Sequence, residues 1–291
     1  MATAESTQLT AAYLNFHAQM LRLFRVRAIV RAAVSKGKED VTQKLMAEVA
    51  AMPTLLGAND TVGNIPKWVN EFKQAMETPA LKKQIEETCD KTVDGCLIPL
   101  DSALLVFAHS LLDVVLQECI CVSAIAKRGD WLNYLSERKV TLAELETKDL
   151  KGIQDDLLNQ HIKTLSRESL LKRSDILHAV SRPTDASLSE NIFSREQLEN
   201  VDRLRHEIVH KLEFHKEITN VGDVLASIQK MGVYFVILVG TTHSVLMCKD
   251  AKALVPHLNP DLGKLVTAIS DFNDLKKQTN ESHPKLAQTI R

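Results

Sequence analysis

Apolar residues recur three and four positions apart through most of this chain, as in Val224, Leu225, Ile228, Met231 and Val233. Such spacing puts the apolar positions on one stripe of a helix, whereas a half-buried strand needs strict alternation, which is scarce here. The pattern predicts an all-α fold with helices over about 8–35, 39–51, 66–77, 79–92, 99–127, 130–137, 153–180, 194–218, 222–248 and 261–278. The run "VYFVILV" (Val233 to Val239) is rich in β-branched residues but continues the helical pattern of "VGDVLASIQKMG", so it is assigned to the same helix. Only 10 Gly and 8 Pro interrupt 291 residues.

The breakers fall between these helices. "MPTLLGANDTVGNIP" (Met52 to Pro66) and "SRPTDASLSENIFS" (Ser181 to Ser194) read as loops, the second ending in Ser194 as a helix N-cap with Gln197 at the capping-box position. Turn chemistry near "DGCLIP" (Asp94 to Pro99) divides the chain into an N-terminal helical region (1–95), a bundle of long helices (96–252) and a C-terminal helical segment (253–291). The best membrane candidate, Met231 to Cys248, is barely long enough to span and carries Thr241, Thr242, His243 and Ser244 in its second half. That polarity makes it a buried core helix, with no membrane partner expected.

Composition narrows the picture further. A hydrophobic content of 45% supports a real core, and a net charge of -1 means that any nucleic-acid binding must come from a local basic patch. The five cysteines (Cys89, Cys96, Cys119, Cys121, Cys248) form no C-x-x-C clip and read as reduced thiols. The start "MATAESTQLT" lacks the plan of a secretory signal, so a cytoplasmic location is expected. Phosphate-binding Gly-rich loops, hydrolase elbows and kinase signatures are absent from the sequence.

The chemistry concentrates in "VDRLRHEIVHKLEF" (Val201 to Phe214), whose core "RHEIVH" fits two unrelated sites. In one, His206 and His210 stand one turn apart over a zinc ion with Glu207 as general base, the start of a zinc hydrolase. A third ligand is then required. The metzincin spacing would place it at Lys216, with its glycine at Glu213, and no Glu occurs between Glu217 and Glu281 to serve a gluzincin pattern. His215 and Asp223 remain as stand-ins, while Arg203 and Lys211 put positive charge beside the site, which opposes a divalent ion.

In the other site, Arg205 and His210 act on a phosphodiester. Cutting RNA without a metal requires a base for the ribose 2′-hydroxyl, an acid for the departing 5′-oxygen and fixed positive charge at the phosphate. Imidazole supplies the proton transfers and guanidinium the charge. Here "RHEIVH" resembles the motif of the HEPN superfamily: an Arg, a polar residue, three further residues and a His within a helix of an all-α bundle. The long apolar helices predicted before (Leu100 to Lys127) and after (Asp223 to Cys248) are similar to those that flank the motif in that family. The resemblance covers roughly Gly95 to Cys248 and leaves the N-terminal helices outside.

The resemblance implies a HEPN-like helical bundle with additional N-terminal helices, acting as a homodimeric, cofactor-free and metal-independent endoribonuclease. Arg205 would bind phosphate, His210 would transfer protons, and His206 would support them. Five residues on a helix turn through about 140°, so one chain offers an incomplete site that a second copy would complete. Roles in defence or as a toxin, and a regulatory protein partner of unknown identity, belong to the same implication. Other family members are non-catalytic modules that bind RNA or protein, and that alternative stands beside the enzyme, as does an ordinary salt-bridged helix with Glu207–Lys211 and Glu199–Arg203 pairs.

Two further groups of residues bear on the site. His109, Asp113 and Gln117 form a thin polar stripe on an otherwise apolar helix, which must line a cleft or meet another helix; Asp113 is a candidate to support His210. Arg22, Arg25, Arg27, Arg31, Lys36 and Lys38 form the densest basic run. With Arg203 and Lys211, Arg22 and Arg25 are candidates for RNA contact.

Overall fold

The computed structural model describes residues 3–57, 78–95, 97–135, 149–182, 194–211, 218 and 220–282. Every regular element among them is helical, as the spacing of apolar residues predicts. The elements are α1 (Ala4–Gly57), α2 (Pro79–Gly95), α3 (Leu97–Ala126), α4 (Arg128–Tyr134), α5 (Leu150–Leu165), α6 (Leu170–Ser181), α7 (Arg195–His210), α8 (Val221–Thr242), α9 (Ala251–Leu254), a 3₁₀ turn (Val255–His257) and α10 (Pro260–Ser282).

Several boundaries differ from expectation for local reasons. The expected helices 8–35 and 39–51 are one helix, α1, which runs through Gly37 and extends past Met52 to Gly57; a single glycine lowers helix stability by only about 1 kcal/mol. The expected helix 153–180 is two, because Ser169 caps a new start: its Oγ accepts from the Lys172 N–H at 3.2 Å. The expected helix 222–248 stops at Thr242, followed by Ser244 with φ of 55°. α7 ends at His210, and 212–217 of its expected span lie outside the described residues, as do 66–77 and most of the Met52–Pro66 and Ser181–Ser194 loops. Short α9 was not anticipated; Asp250 caps it, accepting from the N–H groups of Lys252 and Ala253.

The chain divides into two compact units. One comprises Leu23–Leu104 and Leu212–Val221. Within it, Asp101 of α3, only 10% exposed, accepts from Arg27 Nε at 2.8 Å and Nη2 at 3.2 Å, and from Arg31 Nη2 at 3.2 Å. Part of the basic run is therefore used to neutralise a largely buried carboxylate.

The other unit comprises Met1–Arg22, Leu105–Lys211 and Gly222–Arg291 and carries the candidate site. Its core is built from the apolar faces of the start of α1 (Leu9, Phe16, Met20), α3 (Leu112, Leu116, Ile120), α6 (Leu170, Leu177), α7 (Leu198, Ile208) and α8 (Leu225, Ile228, Phe235), with Trp131 of α4 fully enclosed. Each such side chain contributes about 1.5–3 kcal/mol on leaving water. α3 and α8 are long and apolar enough to cross a membrane, yet 44% and 50% of their most apolar windows are buried inside the molecule. The short polar stripe on α3 meets two other helices, and those contacts frame the site.

Candidate functional site

α7 begins where Ser194 Oγ accepts from the Gln197 N–H at 3.2 Å, as its sequence predicts. Leu198, Val201 and Ile208 fall on one face and are buried, which fixes the rotation of the helix and sends the remaining residues outward. Arg203, His206, His210 and Lys211 are exposed and Arg205 is half-buried.

The long Arg205 side chain bridges the angular gap to His210: its Nη1 lies 3.3 Å from His210 Nε2. Guanidinium has only donors, so this contact makes Nε2 the acceptor and places the imidazole proton on Nδ1. The His206 ring packs on the His210 ring with centroids 4.7 Å apart. A permanent cation and two imidazoles thus share one exposed patch at the end of α7. Glu207 accepts from Arg203 Nη1 at 2.8 Å, and Arg203 Nη2 also donates to Asn200. Glu199 pairs with Arg195, at 3.3 Å. Among the described residues, no three His, Cys, Asp or Glu side chains converge as a metal site.

Beside this patch lies a groove of about 490 Å³ between α3, the turn joining α5 to α6, and α7. His109 and Asp113 line it from α3, Ser166 to Leu170 from the turn, Arg173 from α6, and Asp202, Arg205 and His206 from α7. Asp113, the candidate supporter of His210, instead binds the guanidinium of Arg173, which also donates to Gln117 Oε1 at 3.4 Å. His109 Nε2 donates to Asp202 Oδ1 at 2.7 Å. A carboxylate only accepts, so the Nδ1 of a neutral His109 carries the lone pair. A larger groove of about 780 Å³, elsewhere in this unit, is walled by mainly apolar residues and has only Glu118 and His257 as titratable groups among the described residues. The titratable groups are denser in the smaller one.

Of the basic-run candidates, Arg22 pairs with Asp261 at 3.1 Å and is not a wall of the groove. Arg25 is exposed and has no carboxylate partner among the described residues. Sequence reasoning overlooked Arg173, Asp202 and Arg167. Arg173 did leave a signal: it sits in the i, i+3, i+4, i+7 series Leu170, Arg173, Ser174, Leu177, all buried, so a cation occupies a core-facing position. Burial pushes its guanidinium below the usual arginine range, and its Nε has no hydrogen-bond partner among the described residues.

No protein-family model, no curated protein and no solved structure matches this chain.

Proposed function

We propose that this protein is a metal-independent endoribonuclease of the HEPN type, cutting single-stranded RNA and acting as a homodimer. The observation that carries the reading is the 3.3 Å contact between Arg205 Nη1 and His210 Nε2 on an exposed helix face. Arginine and histidine five residues apart need not meet, and here they do.

In the proposed reaction a phosphodiester oxygen draws the Arg205 guanidinium away from His210. The freed Nε2 lone pair takes the proton of the ribose 2′-hydroxyl. The 2′-oxygen attacks phosphorus, the bond from phosphorus to the 5′-oxygen breaks, and an imidazolium donates the proton that the leaving oxygen needs. The products are a 2′,3′-cyclic phosphate and a 5′-hydroxyl. Arg205 offsets the charge gained by the phosphoryl oxygens in the transition state. His206, whose ring packs against that of His210 at a tilt of 39°, holds it in place. The exposure of His206, His210 and Lys211 leaves this face open to a second copy of α7, which would supply the second imidazole.

The test is product chemistry together with mass. Purified protein should release fragments ending in 2′,3′-cyclic phosphate, identified by mass spectrometry, and leave DNA of the same sequence intact for want of a 2′-hydroxyl. Fragments with 3′-hydroxyl ends contradict the mechanism. Light scattering that shows a 32.5 kDa monomer cutting RNA at full rate contradicts the dimer.

A further inference from the structure

We infer that the groove beside the Arg205–His210 pair is a second phosphate subsite, in which Arg167 holds the phosphodiester next to the one on which Arg205 and His210 act. This rests on the reading of α7 as an RNA-cleaving helix, and extends it from a catalytic pair to a track for the strand.

Charge pairing within the groove carries the inference. Three acids stand on its walls, and each already has a partner: Asp113 is paired with Arg173 and Glu168 with Lys172 at 2.9 Å, while Asp202 accepts a hydrogen bond from His109 at 2.7 Å. Two wall guanidiniums, Arg167 and Arg205, have no carboxylate partner among the described residues. With His109 neutral, Asp202 keeps its charge, so the two unpaired guanidiniums leave the groove a balance of one positive charge, on a chain whose net charge is -1.

Shape and donors agree with that charge. A volume of about 490 Å³ lies in the range of small-ligand sites. Arg167 lies in the exposed turn between Ser166 and Ser169, which open on the same space. Leu170, the first residue of α6, lines it too, and the first N–H groups of a helix have no intrahelical acceptor. Arg205 is the link: it lines the groove and touches His210, so a strand seated there continues to the imidazoles. The buried Arg173 and the His109–Asp202 pair are the fixed frame, since the ion pair Arg173 makes with Asp113 joins α6 to α3 and the hydrogen bond of His109 to Asp202 joins α3 to α7. Guanidinium forks suit phosphate oxygens geometrically, whereas an acidic peptide would not require a path leading to His210.

The experiment measures binding apart from cleavage. A fluorescent single-stranded RNA is titrated with the full chain carrying His210→Ala, over a series of salt concentrations, and compared with the same chain carrying Arg167→Ala or Arg167→Glu in addition. Losing one phosphate contact should weaken binding about 3- to 10-fold at low salt and lower the slope of log affinity against log salt by about 0.7. Arg167→Glu should weaken it further, while Lys264→Ala, outside the groove, should leave it unchanged. Circular dichroism confirms that each variant is folded. Unchanged affinity and slope in both Arg167 variants overturn the subsite, even if RNA is cleaved through Arg205 and His210. Weakened binding in those variants sustains the subsite even if wild-type protein never cleaves, an outcome that refutes the nuclease reading alone.

Discussion

Ser123 is a residue whose loss should cost this fold much for a single atom. It is fully buried on α3, and its hydroxyl does two things at once. Its oxygen accepts from Trp131 Nε1 at 2.8 Å, and its proton is directed to His243 Nε2 at 2.6 Å. His243 in turn has Nδ1 3.2 Å from Thr242 Oγ1, so the hydroxyl ties α3 to α4 and to the end of α8. Ser123→Ala leaves a buried indole N–H and a buried imidazole lone pair without partners. Each orphaned group costs about 1–3 kcal/mol, so the variant should lose about 2–6 kcal/mol. With an unfolding entropy of roughly 2 cal/mol/K per residue over 291 residues, each kcal/mol lowers Tm by roughly 1.6 °C. Calorimetry should therefore show a drop of about 3–10 °C, against less than about 1 °C for Thr164→Ala, an exposed hydroxyl that only bonds back along its helix. The double variant Ser123→Ala/Trp131→Phe should be less damaged than the sum of its parts, because it has no indole N–H left to orphan and the shared bond is lost only once. A Ser123→Ala protein as stable as wild type, or strict additivity, would refute this account of the network.

Two further predictions concern pH and packing. Burial pushes the imidazoles of His161, His178 and His243 below the usual histidine range. The unfolded chain then binds more protons than the folded one below about pH 6.5, so stability present at pH 7.5 should be lost as the pH falls through 6.5 toward the depressed folded values. A Tm that stays level or rises between pH 7 and pH 5 contradicts this, and His178→Gln should flatten the decline. At Gly232, an added Cβ would overlap the edge of the Phe16 ring, which is itself only 3% exposed and has little room to move. Gly232→Ala should cost about 1–3 kcal/mol by urea unfolding despite its better helix propensity, and a stabilised variant would show that α1 yields there.

The helical periodicity of the chain was enough to predict the all-α class, because a stripe such as Leu225, Ile228 and Met231 has meaning on a helix alone. Helix ends were read well where a side chain caps them locally, as at Ser194, and missed where the competing signal was weak. Ser169 offers the same hydroxyl as Ser194 but follows an apolar-periodic run, and the periodicity hid the break. Gly37 looked like a boundary, yet α1 tolerates it. For the candidate site, "RHEIVH" stood out through spacing within one helix. The partners of the α3 stripe did not: His109 meets Asp202 across 93 positions and Asp113 meets Arg173 across 60, and no local pattern encodes such a choice. The uncancelled charge of Arg167 became visible only once those distant pairings were known.

The central claim is that Arg205 and His210 cut RNA without a metal, and one experiment reaches it most directly. Single-stranded RNA is incubated with wild-type protein, with and without a chelator, and with Arg205→Ala, His210→Ala and Glu207→Gln variants of verified fold. The account predicts cleavage that survives chelation and falls by about 10²-fold or more in the Arg205 and His210 variants, since both groups act on the transition state. Glu207→Gln should retain most activity, because that carboxylate is a salt-bridge partner of Arg203. Cleavage abolished by the chelator and by Glu207→Gln, with Arg205→Ala still active, would contradict the claim and assign the helix to a metal site instead.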